Sequence, residues 1–348
     1  MVAEVKCNRI GVRLHGGLSP ARCLELGAAA EANGFTSVWF AENPFHRGVL
    51  PAVSALAATT SQIRIGIGVV NPYNRHPALI AMEFGALDEL SDGRAVLGLG
   101  AGIAAQVRRM GFDYRPLAAL RDSIDILRGL LRGDNVTYQG RAFSVDGVAL
   151  GFRPPRPDMP IYAASMGDRS LELCGRLADG LIVSNMCPPA YSERAICIVQ
   201  SSAAAAQRAP LDIVQYVPCV ARADRREACR VAKGVIGEML SAFWPVNADW
   251  PAIRETIVAL SGIPKTDVVG ALERLRRGEP PVKVLDDRFV AAFAIAGDAR
   301  DCQAAAERYR RAGVNELVLT FAGGQPLVDM AYLGAALNGA NRASAPRP

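Results

Sequence analysis

The sequence predicts a (β/α)8 TIM barrel with insertions, on three observations. Short apolar runs alternate along the chain with longer stretches of helical periodicity, the pattern of parallel strands joined by right-handed helical crossovers. Eight such runs are found, the number that closes a sheet into a barrel; an open doubly wound sheet is the competing arrangement. The 348 residues, 50% of them hydrophobic, suffice to bury one large core.

Taken in order, Ile10 to Leu14 reads as the first strand, and Pro20 to Asn33 as a helix with apolar residues at helical spacing. Thr36 to Phe40 is the second strand and Pro51 to Thr60 the helix after it. Ile63 to Val70 alternates and ends at Asn71-Pro72. Pro77 marks a helix start, and the helix runs through Ala78 to Leu90 until Ser91-Asp92-Gly93 breaks it. Ala95 to Gly100 is the fourth strand. Leu117 to Leu131 is an amphipathic helix, and Thr137 to Leu150 a hairpin with Gly140 and Gly147 as turn signals. Ile161 to Ala164, Leu181 to Ser184, Ile213 to Ala221 and Glu316 to Phe321 complete the strands, with Arg169 to Ala178 a helix between the first two. Residues 1–340 are expected to form one domain. Within it 240–295, rich in proline and carrying Trp244 and Trp250, is expected to be an irregular insertion or lid. The small, polar segment 341–348 is expected to be a flexible tail.

Bulk properties exclude several roles. The net charge of +5 comes from 39 basic and 34 acidic residues that are interspersed, so no nucleic-acid stripe is expected. The pairs Arg225-Arg226 and Arg276-Arg277 read as solvated helix faces. The first residues, Met1 to Lys6, lack the layout of a signal peptide, and the most apolar window, Ala95 to Val107, is too short and glycine-rich to cross a bilayer. Eight cysteines without a CxxC pair read as reduced thiols of a cytoplasmic protein. The three histidines do not build a metal site.

Barrel enzymes carry their chemistry on the loops after the C-terminal ends of the strands. After the first strand, Arg13 alternates with apolar neighbours and is expected inside the barrel, where a guanidinium needs an anion or several acceptors. His15 follows as a proton donor or an ordinary loop residue. After the second strand Glu42 is expected at the barrel mouth, as a proton-handling group or a surface carboxylate. Gly66 and Gly68 inside the third strand mark a bulge or a close approach of backbone to a ligand, the alternative being tight packing. The run Gly98-Leu99-Gly100-Ala101-Gly102 superficially suggests a dinucleotide fingerprint but follows the fourth strand rather than opening the fold. Ala164-Ser165-Met166-Gly167 runs into a helix start whose free N–H groups suit a phosphate, with Asp168 as a possible N-cap. Ser184 and Asn185 are placed to add hydroxyl and amide contacts to the same ligand.

The segments Gly66 to Tyr73, Arg75, Pro77, Leu87-Asp88-Glu89-Leu90-Ser91-Asp92-Gly93-Arg94 and Gly98 to Gly102 together resemble the luciferase-like superfamily, and within it the methylenetetrahydromethanopterin reductases, which use the deazaflavin coenzyme F420. The similarity covers roughly residues 8–222 and, faintly, 313–321. The resemblance implies a homodimeric barrel with a non-prolyl cis peptide at Gly68-Val69, where the backbone bulges against the central ring of a flavin or deazaflavin. It also implies a seat for the cofactor phosphate at Ser165 to Gly167, in agreement with the helix-start reading. Cofactor contacts are thus expected from Gly66, Gly68, Val69, Gly98, Gly100, Ala101, Gly102, Ala164, Ser165, Met166, Gly167, Ser184 and Asn185, and catalytic roles from Glu42, His15 and Arg13.

Two positions depart from the reductase pattern: Arg13 stands where those enzymes carry a carboxylate, and Glu42-Asn43 where deazaflavin enzymes often carry Asp-His. Three functions follow from this. One is hydride transfer between F420 and a small-molecule substrate. The second is FMN-dependent monooxygenation, with reduced flavin supplied by a partner flavin reductase. The third is a non-catalytic flavin-binding barrel.

Overall fold

The structure, a computed structural model, describes residues 9–246 and 250–344. The chain runs β1 (Arg9–His15), α1 (Pro20–Ala32), β2 (Ser37–Ala41), α2 (Leu50–Thr59), β3 (Arg64–Val70), α3 (Pro77–Leu90) and β4 (Ala95–Leu99). Then come α4 (Ala104–Arg109), α5 (Pro116–Arg132), the hairpin β5 (Val136–Gln139) and β6 (Ser144–Val148), β7 (Ile161–Ala164), α6 (Asp168–Leu177), β8 (Gly180–Val183), α7 (Pro189–Ala205) and β9 (Asp212–Ala221). The last part holds α8 (Arg225–Val246), α9 (Pro251–Leu260), α10 (Lys265–Arg276), α11 (Pro281–Val284), α12 (Asp287–Phe293), β10 (Ile295–Gly297), α13 (Ala299–Arg311), β11 (Glu316–Phe321) and α14 (Pro326–Ser344).

The parallel strands close in the order β9-β11-β1-β2-β3-β4-β7-β8 and back to β9, the eight-stranded barrel that the sequence predicts. β9 is long enough to carry β11 along one edge and, on the other, first β8 and then the short β10, which sequence periodicity did not single out. Alternation sorts the side chains. Ile10, Val12 and Leu14 of β1 face the helices, as do Ile65 and Ile67 of β3 and Leu317 and Leu319 of β11. Trp39, Val96, Tyr162, Ile182, Val214, Tyr216 and Val318 fill the inside.

The floor of the barrel is a buried ion network. Glu316 accepts from Trp39 Nε1 (2.9 Å), from Ser37 and from Arg64 (3.1 Å), with Arg9 at 3.6 Å. Asp212 takes Arg9 and the Tyr162 hydroxyl (2.6 Å). Two guanidinium groups thus meet two carboxylates, with Glu316 fully buried and its partners part-exposed.

Below that floor, the Asp88 to Arg94 motif is a structural knot. Arg94 donates to the carbonyls of Ser91 (2.7 Å), Ala57 (2.8 Å), Thr60 (2.9 Å) and Ile63 (3.0 Å) and to the Thr60 hydroxyl (3.0 Å). Asp88, fully buried, pairs with Arg156. Gly93, at φ +76°, makes the turn between them.

Segment 240–295 departs from expectation: it is not irregular but a run of helices from the end of α8 to α12, with 247–249 outside the described residues. Four of its prolines punctuate rather than disrupt. Pro251 and Pro281 occupy first-turn positions and Pro264 and Pro280 are N-caps, places where a missing N–H costs nothing. The tail expected at 341–348 continues α14 as far as Ser344, and 345–348 lie outside the described residues. Among the described residues no helix is long and apolar enough to cross a membrane, and no side-chain cluster could hold a metal ion.

Candidate active site

The site grows from an irregularity in β3. Its register to β4 runs Gly68 to Gly98 and then Val70 to Leu99, so Val69 is an extra residue and the strand bulges inward. The Gly68–Val69 peptide is cis, as the resemblance implies. A Cβ on Gly68 would collide with the Tyr216 hydroxyl, which occupies that space and donates to the Gly68 carbonyl at 3.0 Å. Val69 then projects into the barrel mouth opposite Gly100, where a Cβ would lie 2.6 Å from Val69 Cγ2. Gly66 and Gly98, expected against the ligand, are packing glycines instead. A Cβ at Gly66 would meet the Trp39 ring at 2.5 Å, and one at Gly98 would meet Ile182 at 2.6 Å.

Beside Val69 opens a cavity of about 600 Å³. Its walls are the Gly100-Ala101-Gly102 run, the Ala164-Ser165-Met166-Gly167 turn after β7, and Ser184 after β8. Gly102 has φ +71°, and a side chain there would collide with Asn71. Helix α6 starts at the turn with Gly167, not Asp168, as N-cap, and no side chain caps it. Ser165 Oγ is buried beside this helix start and has no partner, and Asn185 Oδ1 is likewise buried and unpartnered, though Asn185 is not on the cavity wall. The uncapped dipole end and the unpaired hydroxyl make one end of the cavity suited to an anion.

Arg194 and Arg169 flank that end, Arg194 holding Asp168 at 2.8 Å and keeping its carboxyl below its usual range. The Tyr191 hydroxyl fixes the turn by donating to the Met166 carbonyl at 2.6 Å. Trp250, Ile253 and Thr256 at α9 close one side. Sequence reasoning missed Tyr191, Arg194 and this face of α9. The helical spacing of Ile253 and Thr256 was the available signal, obscured by the prolines around it.

The three candidate catalytic residues stand at the mouth, off this cavity's wall. Arg13 lies inside the barrel over the Tyr216 ring, 5.2 Å from its centroid, with Nε buried and unpartnered; burial lowers its pKa and Tyr216 opposes that. His15 Nδ1 accepts from the Gly17 amide at 3.1 Å, so the neutral ring carries its proton on Nε2. Burial, then Arg13 and His46, push its pKa down. Glu42 is tied to the loop after β3: it accepts from the Asn71 amide and Asn74 Nδ2, both at 3.4 Å, and faces Arg75 at 3.6 Å. The structure thus brings Arg13 and His15 together and attaches Glu42 to the loop that follows the bulge.

A slot with one braced wall, an anion-binding end and a polar mouth suits a planar ring with a phosphate-bearing tail. The family model described as luciferase-like monooxygenase matches residues 5–316. The chain is similar to 5,10-methylenetetrahydromethanopterin reductase of Methanolobus tindarius, with 32% identity over 83% of this chain and 86% of that one. It is also similar to F420-dependent glucose-6-phosphate dehydrogenase of Microbacterium testaceum, with 31% identity over 56% of this chain and 62% of that one. Among solved structures, the coenzyme F420-dependent tetrahydromethanopterin reductase of Methanopyrus kandleri superposes with a TM-score of 0.85 at 24% identity, over 97% of this chain and 99% of that one.

Proposed function

The chain belongs to the luciferase-like monooxygenase family, and on that premise we propose that it transfers a hydride between the deazaflavin coenzyme F420 and a small organic substrate entering at the barrel mouth. The observation that carries the reading is one cavity combining the Val69–Gly100 slot with the unpaired Ser165 hydroxyl at an uncapped helix start. The relatives named above as F420-dependent support the choice of cofactor.

Bound there, F420 supplies a two-electron hydride donor or acceptor. Val69 braces one ring face, and the Tyr216 hydroxyl holds the backbone behind it. Ser165, the α6 amides and Arg169 receive the phosphate end. The apolar α9 face keeps water from the slot. At the mouth Arg13 binds the substrate or offsets developing charge. His15, with its proton on Nε2, exchanges a proton with the substrate heteroatom, and Glu42 orients the Asn71–Arg75 loop.

Absorption titration of the purified protein with F420 and FMN side by side tests the reading, because the two chromophores absorb at different wavelengths. Saturable F420 binding that is weakened by Ser165→Ala is expected. Tight FMN binding with no F420 binding overturns it in favour of the monooxygenase reading. A second copy of the chain fits the exposed Leu79, Met82 and Leu90 of α3, and light scattering checks the homodimer.

A further inference from the structure

The inner wall of the barrel carries its charge in two tiers, and only the lower one is balanced. Arg9 and Arg64 face Asp212 and Glu316 at the floor. Arg13 lies one tier up, beside Trp39 in the β1–β2 register. It forms no ion pair among the described residues, and its Nε is buried with no hydrogen-bond partner. Glu316 is engaged in the floor and Glu42 with Arg75. Tyr216 covers one face of the guanidinium, and burial raises its phenol, which stays protonated. Burial, with Arg13 beside it, lowers the His15 pKa.

A guanidinium whose Nε is buried without a partner is costly. A cation–π contact offsets only part of the cost of desolvating a charge. It also leaves the in-plane N–H edges free. A second unsatisfied group stands next to it. The β1–β11 register runs from Arg9–Glu316 to Val12–Leu319, and its continuation places Thr320 beside Arg13. Thr320 shares the inner face with Glu316 and Val318, is 8% exposed, and its Oγ1 is buried without a partner. Small residues surround this tier: Ala41 at the end of β2, and Gly100, Ala164 and Ser184 on the wall of the neighbouring cavity.

We propose that Arg13 and Thr320 form a carboxylate seat inside the barrel mouth, and that the substrate is a small organic acid held there by its anionic group. One guanidinium and one hydroxyl supply a single positive charge in a planar fork, which matches a carboxylate better than a doubly charged tetrahedral phosphate. The inference rests on the hydride-transfer reading for the word substrate, whereas the anion seat is a property of the cofactor-free protein.

Calorimetric titration of that cofactor-free protein with benzoate, and separately with inorganic phosphate, tests it. One benzoate per chain is expected. Arg13→Gln should weaken benzoate at least about tenfold, with Arg13→Lys intermediate because it keeps the charge and loses the fork. Thr320→Val should weaken it roughly three- to tenfold. Benzoate should raise the melting temperature of the wild type and not that of Arg13→Gln, whose own melting temperature reports that it folds. F420 affinity should stay within about twofold across the three variants. No benzoate binding, equal binding by Arg13→Gln, or tighter binding of phosphate overturns the proposal. So does a loss of F420 affinity in Arg13→Gln as large as the loss for benzoate, since Arg13 would then serve the cofactor. Intact benzoate binding with no F420 binding supports the seat and sinks the cofactor reading alone.

Discussion

Tyr216→Phe removes one oxygen and leaves the ring under Arg13 in place. The oxygen donates to the Gly68 carbonyl at 3.0 Å from a fully buried position, behind the residue that braces the cofactor slot. If the backbone stays put, the carbonyl loses its partner in a dry interior, which costs about 1–3 kcal/mol. At roughly 2.1 cal/mol/K per residue, 348 residues have an unfolding entropy near 0.7 kcal/mol/K, so the melting temperature should drop by about 1.5–4 °C. If the backbone instead turns the carbonyl toward water, the cofactor-free protein escapes the cost. Seating the ring must then restore the original path, and the same free energy appears as roughly 5- to 150-fold weaker F420 binding. The two losses trade against each other, so both are measured on one preparation, by thermal denaturation and by absorption titration. A variant that matches the wild type in both would show that the hydroxyl does not hold the bulge.

Three further outcomes follow from the same geometry. Ser165→Ala deletes a hydroxyl that bonds to nothing in the protein, so the melting temperature should hold or rise while F420 affinity falls about tenfold; equal affinity would remove Ser165 from the phosphate seat. Glu316→Gln removes the fully buried carboxylate that Arg64 and Arg9 share, leaving Asp212 alone to balance both, and should cost about 3–5 kcal/mol by urea denaturation; a loss below about 1 kcal/mol would mean that the network is only surface-like. The His15 pKa is depressed in the folded state, so the unfolded chain takes up that proton first as pH falls below about 6.5. Stability should therefore decline from that pH down toward the folded value. His15→Gln should flatten that slope, and an unchanged slope would show that His15 is not depressed in the folded state.

The barrel was legible because strand and helix periods leave different marks. The inward and outward residues of β1 and β11 follow simple alternation, as does β3 up to its bulge. The bulge was legible because two glycines inside one strand have few other uses, yet only Gly68 serves it, Gly66 making room for Trp39. Tyr216 and Thr320 escaped notice because each lies in an apolar run where an aromatic or a β-branched residue is unremarkable. What singles them out is an orphaned partner across the barrel, a relation between strands far apart in the chain. The α9 wall was missed because prolines at helix starts and prolines in loops look alike in sequence.

The Arg94 knot carries a consequence for how chains of this kind are recognised. It fastens the end of the barrel opposite the mouth, and none of its residues lines the cavity. A sequence identified by that signature has therefore declared its foundation and not its trade. The rim above, with Arg13 where relatives of this family resemblance would lead one to expect an acid, can be recut for a new reactant while the masonry below stays untouched.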